Sequence, residues 1–119
     1  MKNRIEKPWG YEVVWAQAPG RYVGKILHIE SGQALSLQYH EVKDETIYVQ
    51  SGEILLELEG EGGQLEELVL REGEGRRILP GRKHRMTARR ESEVLEVSTD
   101  HLEDVVRLED RYGRVETSS

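Results

Sequence analysis

Glycine-bearing turns break this chain into short apolar runs almost from end to end, and that pattern leaves room for little except an all-β fold. Residues 22–29 read as a strand closed by Ser31-Gly32, and residues 35–38 begin a second. Thr46-Ile47-Tyr48-Val49 is β-branched and aromatic, with a turn expected at Ser51-Gly52 before residues 53–58 return. Residues 59–63 suit a hairpin loop, residues 65–70 pair back, and Gly73 and Gly75 mark another turn. Arg77-Ile78-Leu79 runs into the turn dipeptide Pro80-Gly81, and Val94-Leu95-Glu96-Val97 closes the series. Many short strands separated by glycine turns predict a sandwich or barrel, and no βαβ rhythm competes.

Two segments stand apart. Asp100 and Glu103 have the spacing of a capping box, which predicts a short helix, although Val105-Val106 reads equally well as a final strand. Residues 7–15 look like an arm or edge strand, with Trp9 and Trp15 expected to anchor it. The organisation predicted is one domain: an N-terminal arm over 1–20, a barrel core over 21–98, a C-terminal segment over 99–114 and a frayed tail over 115–119.

A chain of 119 residues is long enough to build one core without covalent staples. It has no cysteine, so any metal ligands must be nitrogen or oxygen donors. The net charge of −6, with both signs dispersed, provides no basic stripe for a phosphate backbone and argues against a nucleic-acid partner. No apolar run has the length of a membrane span, and the first residues lead into no signal-type apolar stretch. A soluble, cytoplasmic protein with no membrane partner is the expectation.

The chemistry concentrates in two places. In a strand, residues two apart face the same way, so Gln38 and His40 can both point into a barrel. Glu45 opens the next strand after a tight connection and can point there too. The turn at Pro80-Gly81 would deliver His84 from a distant strand. Two imidazoles, a carboxylate and an amide oxygen make a mixed site for one divalent ion. Zinc is the first candidate, with manganese, iron, cobalt and nickel as alternatives. Single histidines are usually surface or satisfied residues; it is the spacing of the set that points to ligands. His28 and His101 fall outside the set and are expected to be structural or exposed.

These segments resemble the two motifs of the cupins. Gly32 through Gln38, His40, Glu45 and Gly52 is similar to the first motif, and Gly73 to His84 is similar to the second. The fold implied is a jelly-roll β-barrel. Glutamine at the first ligand position, within Leu35-Ser36-Leu37-Gln38-Tyr39-His40, looks like mannose-6-phosphate isomerase, and most closely the C-terminal cupin of the type II enzymes. Lys7-Pro8-Trp9-Gly10 and residues 104–114 are similar to that family's opening and closing motifs.

The resemblance implies catalytic roles for Lys25, Lys43 and Arg107. Arg85 is a further candidate for binding the anionic substrate, a sugar phosphate. It implies interconversion of mannose 6-phosphate and fructose 6-phosphate, and the fold by analogy suggests a homodimer. A lysine near a metal and other cations is expected to have a lowered pKa. Arg82, Lys83, Arg85, Arg89 and Arg90 form a basic cluster, by default a solvated face and alternatively a phosphate-attracting rim. The chain departs from the family at Thr46-Ile47, where histidine and tryptophan are usual, and at Ala88 in place of asparagine, which predicts an altered pocket wall. Two other functions therefore stand beside the isomerase: a metal-containing sugar-binding module without catalysis, and a small iron-dependent dioxygenase, against which Gln38 weighs.

Overall fold

The computed structural model describes residues 3–115. Nine strands follow in order: β1 Asn3–Lys7, β2 Gly10–Ala18, β3 Tyr22–Ile29, β4 Leu37–Tyr39, β5 Glu45–Glu59, β6 Leu65–Arg71, β7 Gly75–Ile78, β8 His84–Thr99 and β9 Val106–Glu109. No helix occurs among the described residues, and none is therefore long and apolar enough to cross a membrane.

The spine is the antiparallel pair β5 and β8, in register from Glu45 opposite Ser98 to Leu58 opposite His84. The pairing slips register between Val49 and Ile54, and each strand thereby serves both halves of one curled nine-stranded sheet. On one side of the slip, β8 also pairs with β3, which carries β2 and β1, while β5 pairs with β7. On the other side, β8 meets β4, which carries β9, and β5 pairs with β6. Side chains from both halves share one core, including Ile47, Val49 and Val94 with Ile54, Leu56 and Met86. Burying each such side chain contributes roughly 1.5–3 kcal/mol. The result is the all-β jelly-roll.

Three sequence expectations change. Ser51-Gly52 does not reverse the chain. The pairing register slips there, and the strand bends and continues. Gly52 has φ +93°, and a Cβ on it would lie 2.1 Å from Ser92 Oγ, so the bend needs glycine. The predicted helix at Asp100 is absent. Its carboxylate accepts hydrogen bonds from the Gly20 N–H (2.7 Å) and the Gln17 side-chain amide nitrogen Nε2 (3.3 Å), tying down the β2–β3 turn, and the alternative final strand forms as β9. Trp9 is a core anchor, but Trp15 is 56% exposed and lies over the outer side of Gly24. Of the predicted frayed tail, residues 116–119 lie outside the described residues.

Candidate metal centre

Strand alternation selects the residues of the centre. Gln38 on β4 stands opposite His84 on β8, so the two candidate segments meet directly. Glu45 opens β5 as the first of its inward positions, and His40 lies just past β4. His40, Glu45 and His84 are all buried, with ligand atoms within 4.8 Å of one another. Glu45 Oε2 is 3.1 Å from Nε2 of both His40 and His84. Ligand atoms about 2.1 Å from a common ion stand about 3.0–3.4 Å apart, so this spacing suits a shared cation.

Hydrogen bonds on the far side of each ring strengthen that fit. His40 Nδ1 is 2.6 Å from the Asp104 carbonyl oxygen, and His84 Nδ1 is 3.0 Å from the Arg82 carbonyl oxygen. A carbonyl only accepts, so both Nδ1 atoms donate, and a neutral ring then aims its Nε2 lone pair at Glu45. Two lone pairs and a carboxylate facing one another form a cation site. Burial would raise the Glu45 carboxyl. When the rings are instead protonated, both Nε2 atoms donate to Glu45, and these hydrogen bonds with the charge of Lys43 outweigh burial and hold its carboxyl well below the usual range. The Gln38 amide oxygen accepts a hydrogen bond from Ser36 Oγ at 2.6 Å and keeps a second lone pair for an ion.

A cavity of about 270 Å³ opens beside the triad, lined by Gln38 and His40 together with Lys7, Glu12, Lys25, Lys43, Glu96, Arg107 and Arg114. That is near the small end of ligand sites, about 300–1,000 Å³. Lys25 Nζ is 3.2 Å from Glu12 Oε2, and both residues are buried. Lys43 Nζ is 3.1 Å from Glu96 Oε2 and 3.6 Å from Glu45 Oε1. Burial alone would lower the Lys43 ammonium, yet Glu96 and Glu45 outweigh it and raise it. Burial and the charge of Glu45 together push the Glu96 carboxyl up against the pull of Lys43 and Lys25.

The structure thus brings Lys25, Lys43 and Arg107 to the cavity with the ligand set. It does not bring Arg85 there. His84 and Met86 face inward, so Arg85 between them faces out, held by Glu57 at 2.8 Å and Glu109 at 3.4 Å. Thr46 and Ile47 do not form the pocket wall either: Thr46 is exposed and Ile47 is part of the core. Of the basic cluster, Arg89 and Arg90 pair with Glu53. His28 is structural, stacked on Tyr11 and bridging Glu91 and Glu93, and His101 is exposed.

Sequence reasoning assigned no role to Glu12, Glu96 or Asp104. Inward alternation from Val94 through Glu96 to Ser98 was the available signal for Glu96. Asp104 acts through backbone: its carboxylate accepts hydrogen bonds from the N–H groups of Glu41, Val42 and Lys43 at 3.0, 2.8 and 2.8 Å. Burial would raise this carboxyl, but the three donors lower it. One residue thereby fixes both the loop that carries Lys43 and, through its carbonyl, the His40 ring.

Comparison with known proteins agrees with this geometry. The cupin domain family matches residues 25–98, and the chain belongs to that family. A curated relative, mannose-1-phosphate guanylyltransferase ManC of Salmonella typhimurium, is 34% identical over 97% of this chain, which spans only 24% of that protein. Among solved structures, KdgF from Halomonas sp. superposes with a TM-score of 0.73 at 21% identity, covering 83% of this chain and 86% of its own. The capsular polysaccharide assembling protein CapF from Staphylococcus aureus gives 0.80 at 16%, covering 92% and 32%. Oxalate decarboxylase from Bacillus subtilis, studied for its Mn(II) centres, gives 0.76 at 17%, covering 90% and 30%. These structures share the fold.

Proposed function

We propose that this chain is a metal-dependent sugar-phosphate isomerase that interconverts mannose 6-phosphate and fructose 6-phosphate. The observation that carries the reading is the convergence of a His–Glu–His cation site, Gln38 and the buried cations Lys25 and Lys43 on one small cavity. Aldose–ketose isomerisation moves a proton between C1 and C2 through an enediolate. A bound divalent ion, held by His40, Glu45, His84 and Gln38, would supply electrophilic stabilisation of the developing oxyanion.

The chain's own residues divide the remaining work. Lys43, held protonated between two carboxylates, donates to the developing negative charge. Glu96 beside it has the raised carboxyl that suits taking and returning a proton. Lys25, paired with Glu12, orients sugar hydroxyls, and Arg107 meets the anionic end. A coupled assay on mannose 6-phosphate with added zinc, manganese or cobalt tests the reading. Absence of turnover with all three metals on every hexose phosphate tried would end it.

A second reading, a sugar-binding cupin without catalysis, is favoured by the carboxylate partners that already occupy Lys25 and Lys43. Saturable sugar binding without turnover would select it. We further propose that the chain forms a homodimer. Trp15, Tyr22, Tyr48 and Val97 are all exposed, and strand register puts Tyr22, Tyr48 and Val97 on one outer face, beside the Gly24 that Trp15 covers. Light scattering on the purified chain measures this directly.

A further inference from the structure

We propose that Lys7 and Arg107, brought together from opposite ends of the chain, form a metal-independent subsite for a phosphomonoester on the cavity wall. The inference rests on the reading of the cavity as a sugar-phosphate site and adds where the phosphoryl end is held.

The argument begins with pairing. Five cations line the cavity: Lys7, Lys25, Lys43, Arg107 and Arg114. Three have carboxylate partners. Lys25 meets Glu12, Lys43 meets Glu45 and Glu96, and Arg114 is gripped by Asp110 at 2.9 and 3.0 Å. Among the described residues, neither Lys7 nor Arg107 has a carboxylate within ion-pair distance. The Arg107 Nε atom is buried without any hydrogen-bond partner, which is costly for a guanidinium unless a ligand completes it.

The fold holds both residues in place. Lys7 ends β1, opposite Gly10 in the tight connection to β2. Arg107 lies on β9, paired with Gln38 of the metal centre. The neighbouring charges of Lys25, Arg107 and Arg114, with burial the largest influence, lower the Lys7 ammonium despite the pull of Glu12. A group so placed gains from a dianion. A phosphoryl group offers three acceptor oxygens and close to two charges, enough for both residues, whereas a carboxylate offers two oxygens and one charge. Anchoring phosphate at Lys7 and Arg107 leaves the sugar to extend toward Gln38 and the triad.

The test uses inorganic phosphate, titrated calorimetrically into the whole chain after chelator treatment and again after zinc loading. Saturable binding is expected in both samples, weakening as salt rises. Lys7→Gln should weaken it about tenfold or more, as loss of a charge-assisted hydrogen bond does, and Lys7→Arg should retain it. Arg107→Gln reads the same subsite from the other chain end, should Lys7→Gln fail to fold. Acetate should bind far more weakly than phosphate. Phosphate binding that is unchanged in Lys7→Gln and Arg107→Gln, or that appears only with zinc, overturns the subsite. Phosphate binding intact alongside zero isomerase turnover would instead remove the isomerase reading and leave the subsite standing.

Discussion

Replacing Asp104 should loosen the metal centre without touching a ligand. In Asp104→Ala, three backbone N–H groups lose their acceptor. Those of Glu41 and Val42 sit on exposed residues and can turn to water, so each loss costs little. Lys43 is buried, with 6% of its surface exposed, and its N–H has less access to a substitute. Leaving a buried donor unsatisfied costs about 1–3 kcal/mol, so the sum is about 2 kcal/mol. For a chain of this length that lowers the melting temperature by about 8 °C. Asp104→Asn keeps one acceptor oxygen and should fall in between. The variant keeps the carbonyl that orients His40 but frees the segment that carries it, so zinc affinity measured by chelator competition should drop about tenfold. The pH dependence has a definite sign. The folded carboxyl lies below its unfolded value of about 3.9, so its contribution is present above that value and is lost as pH falls through the folded one. The gap between wild type and variant should therefore close in acid. Equal melting temperatures at neutral pH, with equal zinc affinity, would refute the positioning role.

Other variants probe the remaining parts. Zinc at a hundred times its dissociation constant should stabilise the native chain by about 2.7 kcal/mol, and His84→Ala should abolish that thermal shift. Arg85→Gln should leave the KM for mannose 6-phosphate unchanged and alter stability by less than about 1 kcal/mol, since its ion pairs lie on the outer face. Gly10→Ala should destabilise by about 2 kcal/mol or more in a denaturant titration, because a Cβ there would sit 1.9 Å from the His28 carbonyl oxygen. Val97→Glu should yield a monomer by light scattering if the exposed face of β8 is where copies meet.

The centre was legible because strand geometry is rigid over short distances. Gln38 and His40 are two apart, and the turn at Pro80-Gly81 ends three residues before His84, so local rules carried the ligands to one place. The same rule, applied to Arg85, would have excluded it. A neighbour of an inward residue faces out, whatever its charge. Long strands were harder to read. The slip at Gly52 and the polar run Arg89-Arg90-Glu91 interrupt the apolar alternation of β5 and β8, so each looked like shorter pieces. Asp100 and Asp104 could not be placed from sequence, because both act as acceptors for N–H groups distant in the chain. A capping signal only says that an aspartate will accept backbone bonds, not from which segment.

The cavity's charges tell more together than singly. Buried ion pairs are poor sources of stability, since desolvating two ions cancels most of their attraction. Yet this interior keeps Lys25 with Glu12 and Lys43 with Glu45 and Glu96. A divalent ion at the triad would add two positive charges against the one negative charge of Glu45. Lys43 would then be left to Glu96, and Lys7 and Arg107 would still have no acidic partner among the described residues. The loaded cavity would carry a positive surplus in a poorly solvated space, where charge is expensive. An anionic ligand removes that surplus and a neutral sugar does not. Phosphorylated sugars should therefore bind more tightly than their free counterparts. The preference should grow when zinc is added and shrink in high salt, and an equal affinity for mannose and mannose 6-phosphate would contradict this account of the buried charges.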